Sequence, residues 1–209
     1  MKLVDAGMST ARINLSYGSI KENLKLLRRF KQAKRLRPHR NVGLMVDLRG
    51  REIRMSPAEK PFLEIKTGAS ISLAFGDSTT PSTANFFRID SDKVERLVKR
   101  NDVLYIDDGT VVGIISEVGQ GHCKMDIKIG GRIKSGCQIR FIGGKHNQEP
   151  VVRKEDLTDL AAISQTTMID FVSLPFCVQA EDVKQLREYL GAHGRAVKLL
   201  AKIDTMDSL

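Results

Sequence analysis

The sequence predicts an α/β fold, a parallel β/α array of the kind that closes into barrels, interrupted by an all-β insertion. Three observations predict it. Polar groups follow directly on apolar, β-branched runs in Ala6 to Gly18 (AGMSTARINLSYG), Val46 to Arg54 (VDLRGREIR) and Leu199 to Asp204 (LLAKID), so charged side chains sit where buried strands emerge from a core. Helical periodicity alternates with strand-like runs near both ends of the chain. Between them lie about a hundred residues of short alternating runs broken by Gly, Ser, Asp and Pro.

Taken in order, Ser9 to Ser16 reads as a strand, Ser19 to Leu36 as a helix stopped by Pro38, and Asn41 to Leu48 as a second strand. Together they make one β-α-β unit. In the helix, Ile20, Leu24, Leu27 and Phe30 recur at helical spacing and are expected to face inward. From Glu52 to about Glu149 the runs LEIKTGASISLAF, VLYIDDGTVVGIISEVG and HCKMDIKIGGRIKSGCQIRFIGG predict a small all-β barrel or sandwich. Helical texture returns at Lys154 to Ser164, followed by a strand at Ile169 to Leu174, a helix at Ala180 to Leu190 with Val183, Leu186 and Leu190 inward, and a strand at Ala196 to Ile203.

Composition narrows the function classes. With 41% hydrophobic and 28% charged residues, the 209-residue chain has the balance of a folded soluble protein rather than a disordered one. No apolar run reaches the roughly 20 residues that span a bilayer, and MKLVDAGM lacks the apolar stretch of a signal peptide, so no membrane role is expected. Cys123, Cys137 and Cys177 are odd in number and lack C-x-x-C spacing, which predicts neither a disulfide framework nor a zinc site and points to a reducing, cytoplasmic setting.

Charge is the unusual quantity: 34 Lys and Arg against 25 Asp and Glu, a net +9. Much of the excess is Lys25, Arg28, Arg29, Lys31, Lys34, Arg35, Arg37 and Arg40. One reading is the solvated outer face of a helix. The other is docking onto an acidic surface, a nucleic acid or an acidic protein filament. Few aromatics interleave the basic run and no nucleic-acid motif is present, which makes the nucleic-acid version the weaker one.

The polar segments resemble those of pyruvate kinases, in which a run ending in Arg-x-Asn-x-Ser, a run like Asp-Thr-Lys-Gly-Pro-Glu-Ile-Arg and a run like Lys-Ile-Glu border the substrate and metal sites. Leu104 to Gly109 (LYIDDG) is similar to part of that family's mobile B domain, and Thr167 to Val183 (TMIDFVSLPFCVQAEDV) to its fourth-strand segment. The order and spacing agree over nearly the whole chain. The resemblance implies a partial TIM (β/α) barrel with an inserted B domain: residues 1–51 carrying the second and third strands, 52–149 the insertion, and 150–209 the fourth and fifth strands. A half barrel would leave strand edges unpaired, so a protein partner covering them is expected, an acidic cytoskeletal filament among the possibilities. A shortened gene model of a full enzyme is a further possibility.

The resemblance also implies chemistry. Phosphoryl transfer between phosphoenolpyruvate and ADP or ATP needs cations around the phosphate and a metal to carry developing charge. Arg12 matches the arginine that contacts the phosphate and Lys202 the phosphoryl-transfer lysine. Asn14, Ser16 and Asp47 match ligands of the potassium ion, Glu52 is of the type found in potassium-dependent members, Arg54 matches a second cleft arginine, and Asp108 matches the B-domain aspartate over the active site. Mg²⁺ and K⁺ are the implied cofactors.

Several positions depart from the pattern. The glutamate of the magnesium motif is Asp204, shorter by one methylene, and the second magnesium ligand falls beyond Leu209. The family's His is Tyr17, its Thr-Lys is Leu48-Arg49, its Pro is Arg51, and Ser and Arg of the fourth-strand segment are Pro175 and Val178. Two functions follow as expectations: a glycolytic phosphotransferase impaired as this chain stands, or a non-catalytic pseudoenzyme serving as a structural module in a larger assembly. For each retained residue a structural role competes; Arg12 and Asn14, on one strand face, could pair with neighbouring carboxylates, and Asp107-Asp108-Gly109 alone is a turn signal.

Overall fold

A computed structural model describes the chain except residues 77–79, 92–94, 96–97, 143–149, 192–193, 195, 206–207 and 209. It divides into two compact units, Met1–Arg51 with Pro150–Leu209, and Glu52–Glu149.

The first unit opens with a single turn, α1 (Lys2–Asp5), that the sequence reading did not anticipate. It continues with β1 (Thr10–Asn14), α2 (Ile20–Arg35) and β2 (Gly43–Asp47). Helix α2 starts where Ser19 and Glu22 form a reciprocal cap: the Ser19 amide donates to Glu22 Oε2 at 2.7 Å and the Glu22 amide to Ser19 Oγ at 3.3 Å. Its inward stripe is the expected one, with Leu27 fully buried and Ile20, Leu24 and Phe30 packed around the same core.

The second unit is all-β. It runs through β3 (Ile53–Arg54), β4 (Phe62–Ile65), β5 (Ser70–Phe75), β6 (Phe86–Ile89), β7 (Val103–Ile106), β8 (Val111–Val118), β9 (His122–Ile129), β10 (Gly131–Lys134) and β11 (Gln138–Ile142). Seven of these strands form one sheet in the order β3-β11-β7-β8-β9-β5-β6, and β4 pairs with β10 in a separate ribbon. Alternation places Ile71, Leu73, Phe87, Leu104, Ile106 and Ile115 in its core. The β7–β8 hairpin turns through Asp107, Asp108 and Gly109, all at positive φ (50°, 56° and 86°), conformations that Asp, Asn and Gly accept at least cost.

The chain then returns to the first unit with α3 (Lys154–Ser164), β12 (Phe171–Leu174), α4 (Ala180–Leu190) and β13 (Lys198–Ala201). The four strands pair in the order β1-β2-β12-β13, all parallel, as consecutive strands of a (β/α) barrel do. The fold is therefore α/β, a partial barrel with an all-β insertion. Register aligns Ile13, Val46, Val172 and Leu199 in one row, which packs with Leu27 of α2, Leu160 and Ile163 of α3 and Leu186 of α4. Burying each such side chain contributes about 1.5–3 kcal/mol. The neighbouring row, Asn14, Asp47, Ser173 and Leu200, faces away from the helices by the two-residue period.

Candidate functional site

Two side chains from opposite ends of the sheet meet at Asp47. The carboxylate ends β2 and is 1% exposed. Its Oδ2 accepts hydrogen bonds from Arg12 Nε at 2.8 Å and from Arg12 Nη2, and lies 3.8 Å from Lys202 Nζ. Arg12 comes from β1, adjacent to β2, and Lys202 follows β13, with β12 between. The arginine side chain is 54% exposed and the lysine 36%, so both cationic heads remain open to an anionic ligand while their shared anchor is buried. The local charge is two positive against one negative, an arrangement that favours a phosphate or carboxylate.

The other oxygen, Asp47 Oδ1, is buried without a hydrogen-bond partner. An orphaned carboxylate oxygen at this depth is costly unless a cation or donor meets it. Asn14 stands directly across the register from it, and the Asn14 side-chain oxygen accepts from the Ser16 amide at 2.9 Å in the turn that leaves β1. Ser173, 2% exposed, flanks Asp47 on the β12 side. Sequence reading singled out Asn14, Ser16 and Asp47 but not Ser173, whose only signal is its place in the row. Oxygens of this kind are the donor type that a hard cation takes.

Asp204 is engaged differently. Its Oδ2 accepts from the Phe176 amide at 2.9 Å, in the loop after β12 where Phe176 takes a positive φ of 53°. The carboxylate thereby braces a strained loop residue. Among the described residues no three His, Cys, Asp or Glu side chains converge as a cage for a metal.

Arg49 and Arg51, which depart from the resemblance, are occupied as struts. Arg49 reaches α3, with Nη1 3.2 Å from Asp156 Oδ1 and Nη2 2.7 Å from Asp159 Oδ2. Asp156 also receives the Arg49 and Gly50 amides at 3.0 and 3.1 Å. Arg51 reaches the start of α4, where Asp182 accepts from it twice and from the Val178 and Gln179 amides. Burial raises the Asp182 pKa, and the Arg51 hydrogen bonds and the two amides outweigh it, so the group ends below its ordinary value. Sequence reading missed these partners; the acids at the first turns of α3 and α4 were the available signal.

Arg54 and Asp108 belong to the all-β unit. Arg54 Nε donates to Glu52 Oε2 at 3.1 Å and its Nη1 to the Gly136 carbonyl. Asp108 lies in the β7–β8 turn and lines a shallow pocket with Tyr105, Gln138 and Arg140.

The family model described as "Pyruvate kinase, barrel domain" matches residues 1–209. The chain belongs to the pyruvate kinase family. A pyruvate kinase of Eimeria tenella is 26% identical over 211 residues, covering 100% of this chain and 39% of the relative. One of Thermotoga maritima is 25% identical over 209 residues, covering 100% and 44%. The chain thus spans less than half the length of these relatives. Among solved structures, Cryptosporidium parvum pyruvate kinase in complex with ADP superposes with a TM-score of 0.86 at 24% identity, over 98% of this chain and 42% of that one. A second structure of that enzyme gives 0.87 at 23% identity. These superpositions establish the pyruvate kinase fold. Among the described residues no helix is long and apolar enough to cross a membrane.

Proposed function

We propose that this chain retains the phosphate-binding pocket of a pyruvate kinase and binds phosphoenolpyruvate through Arg12 and Lys202, without completing phosphoryl transfer on its own. The observation that carries this reading is the convergence of both cations on one oxygen of the buried Asp47. In it Arg12 would clamp the phosphate with its planar donors, Lys202 would face the transferring group as a point charge, and Asp47 would hold the two heads at a fixed separation. Asp47, Asn14 and Ser16 would hold K⁺, which supplies positive charge beside the phosphate. Arg54 and Asp108 are assigned to substrate and nucleotide on the family resemblance alone. The impairment rests on Asp204, which is one methylene shorter than the family's glutamate and engages the Phe176 amide through Oδ2.

The decisive assay combines the purified chain with phosphoenolpyruvate, ADP, Mg²⁺ and K⁺. The expected result is saturable binding of phosphoenolpyruvate that weakens at least tenfold in Lys202→Met, with no pyruvate formed above background. Turnover that Lys202→Met abolishes would reverse the impairment, and binding indifferent to both Arg12 and Lys202 would remove the pocket.

A second reading, a non-catalytic module within a larger assembly, is supported by a surface the pocket does not use. That surface is the outer face of α2.

A further inference from the structure

We propose that the solvent face of α2 is a docking strip for an acidic polypeptide. The inference is independent of the phosphate pocket and holds whether or not the chain turns over substrate.

The strip is set by spacing. Lys21, Lys25, Arg28 and Arg35 follow one another by four, three and seven residues, which at about 100° per residue places them within an arc of roughly 80°, and at about 1.5 Å per residue spreads them over roughly 21 Å. Arg29 borders the arc. All five are exposed, and none makes an ion pair within 4 Å among the described residues. Acidic neighbours along the chain are sparse: no Asp or Glu occurs between Glu22 and Asp47. Glu22 itself is spent in the helix cap. Neighbouring cations find other partners: Lys31 donates to the Thr166 carbonyl at 2.6 Å and Arg37 pairs with Asp5 at 2.5 Å.

An array of like charges held on a rigid helix repels itself unless a polyanion meets it. The surroundings select which polyanion. A membrane would require the apolar stripe of α2, which is already packed in the core around Leu27. A single nucleic-acid strand would call for aromatics on which to stack, and the helix's one aromatic, Phe30, lies on the core side with Lys34 over its ring at 5.7 Å. Instead, Leu36 (50% exposed), the C-cap residue, follows Arg35 at the end of the strip. Mixed apolar and basic ground suits a protein surface better than a phosphate backbone.

The test uses a fluorescent poly-L-glutamate of about 20 residues and, separately, a 20-base-pair DNA duplex, each titrated by anisotropy at low and moderate salt. Poly-glutamate is expected to bind, with affinity falling as salt rises. K25E/R28E/R35E should lose binding at least tenfold, the milder K25Q/R28Q/R35Q several-fold, and the control K60E/K66E/K128E on the all-β unit less than twofold. Absent binding, or equal losses in strip and control variants, would overturn the proposal in favour of diffuse net charge. Duplex DNA bound more tightly than poly-glutamate, and lost with the same substitutions, would overturn it in favour of a nucleic-acid site.

Discussion

Arg51 and Asp182 form a two-pronged ion pair inside the first unit, Nη1 to Oδ2 at 2.9 Å and Nη2 to Oδ1 at 2.8 Å, with side chains only 8% and 1% exposed. It ties the chain after β2 to the N-terminus of α4 across 131 residues of sequence. Asp182 also serves the Val178 and Gln179 amides, so a single carboxylate fixes both the loop after β12 and the helix that follows it. Removing one partner of such a pair strands the other charge in the interior. Arg51→Met is expected to lower unfolding free energy by about 3–5 kcal/mol, measured as a shifted urea midpoint with unchanged slope. A shift under about 1 kcal/mol would show the pair to be incidental.

The same carboxylate predicts an acid response. Its pKa lies below the ordinary 3.8 in the folded chain. A group whose folded pKa is depressed contributes stability that is present above the unfolded value and lost as pH falls through the folded one. Thermal midpoints should therefore fall as pH drops below about 4, and Asp182→Asn should flatten that part of the profile while lowering stability at neutral pH.

The orphaned Oδ1 of Asp47 predicts a cation response. A ligand that binds only the folded chain raises its melting temperature with concentration. Potassium chloride should raise the midpoint above that in choline chloride of equal ionic strength, and Asp47→Asn should erase the difference. Identical curves for the unsubstituted chain in the two salts would refute the potassium assignment.

Gly50 connects the two struts. Its φ is +57°, and a Cβ built there would stand 2.7 Å from Pro175 Cγ and 3.1 Å from the Pro175 carbonyl oxygen. Gly50→Ala adds left-handed strain to a steric clash, and should cost roughly 1–3 kcal/mol on a denaturant curve.

The thiols should be silent in the folded chain. Burial pushes Cys123 and Cys137 up to about 12, and it raises Cys177 as well. The thiolate is the reactive form. A chromogenic disulfide reagent at pH 8 is expected to titrate no thiol within minutes in buffer and all three in denaturant.

Much of the framework is legible in the residues because it is periodic. The bounds Lys154–Ser164 and Ala180–Leu190 come from helical spacing alone, and β1, β2, β12 and β13 fall within the runs read as strands. Turn chemistry likewise marks Asp107, Asp108 and Gly109. Short α1 left no periodic trace, and its four residues are too few to have one. The pocket residues were named through resemblance, but no local pattern states that Arg12 would turn to Asp47, or that Asp204 would face the Phe176 amide.

By itself the sequence determined which segments are strands and helices, which faces they bury, and the uneven charge of α2, since each follows from neighbours within a few turns of chain. Only the tertiary structure decided that Arg12 and Lys202 share one oxygen, that Arg49 and Arg51 serve as struts to α3 and α4, and that Ser173 lies beside Asp47. Those contacts depend on parallel register between strands joined by long crossovers, and register is a relation between distant segments that no local period encodes.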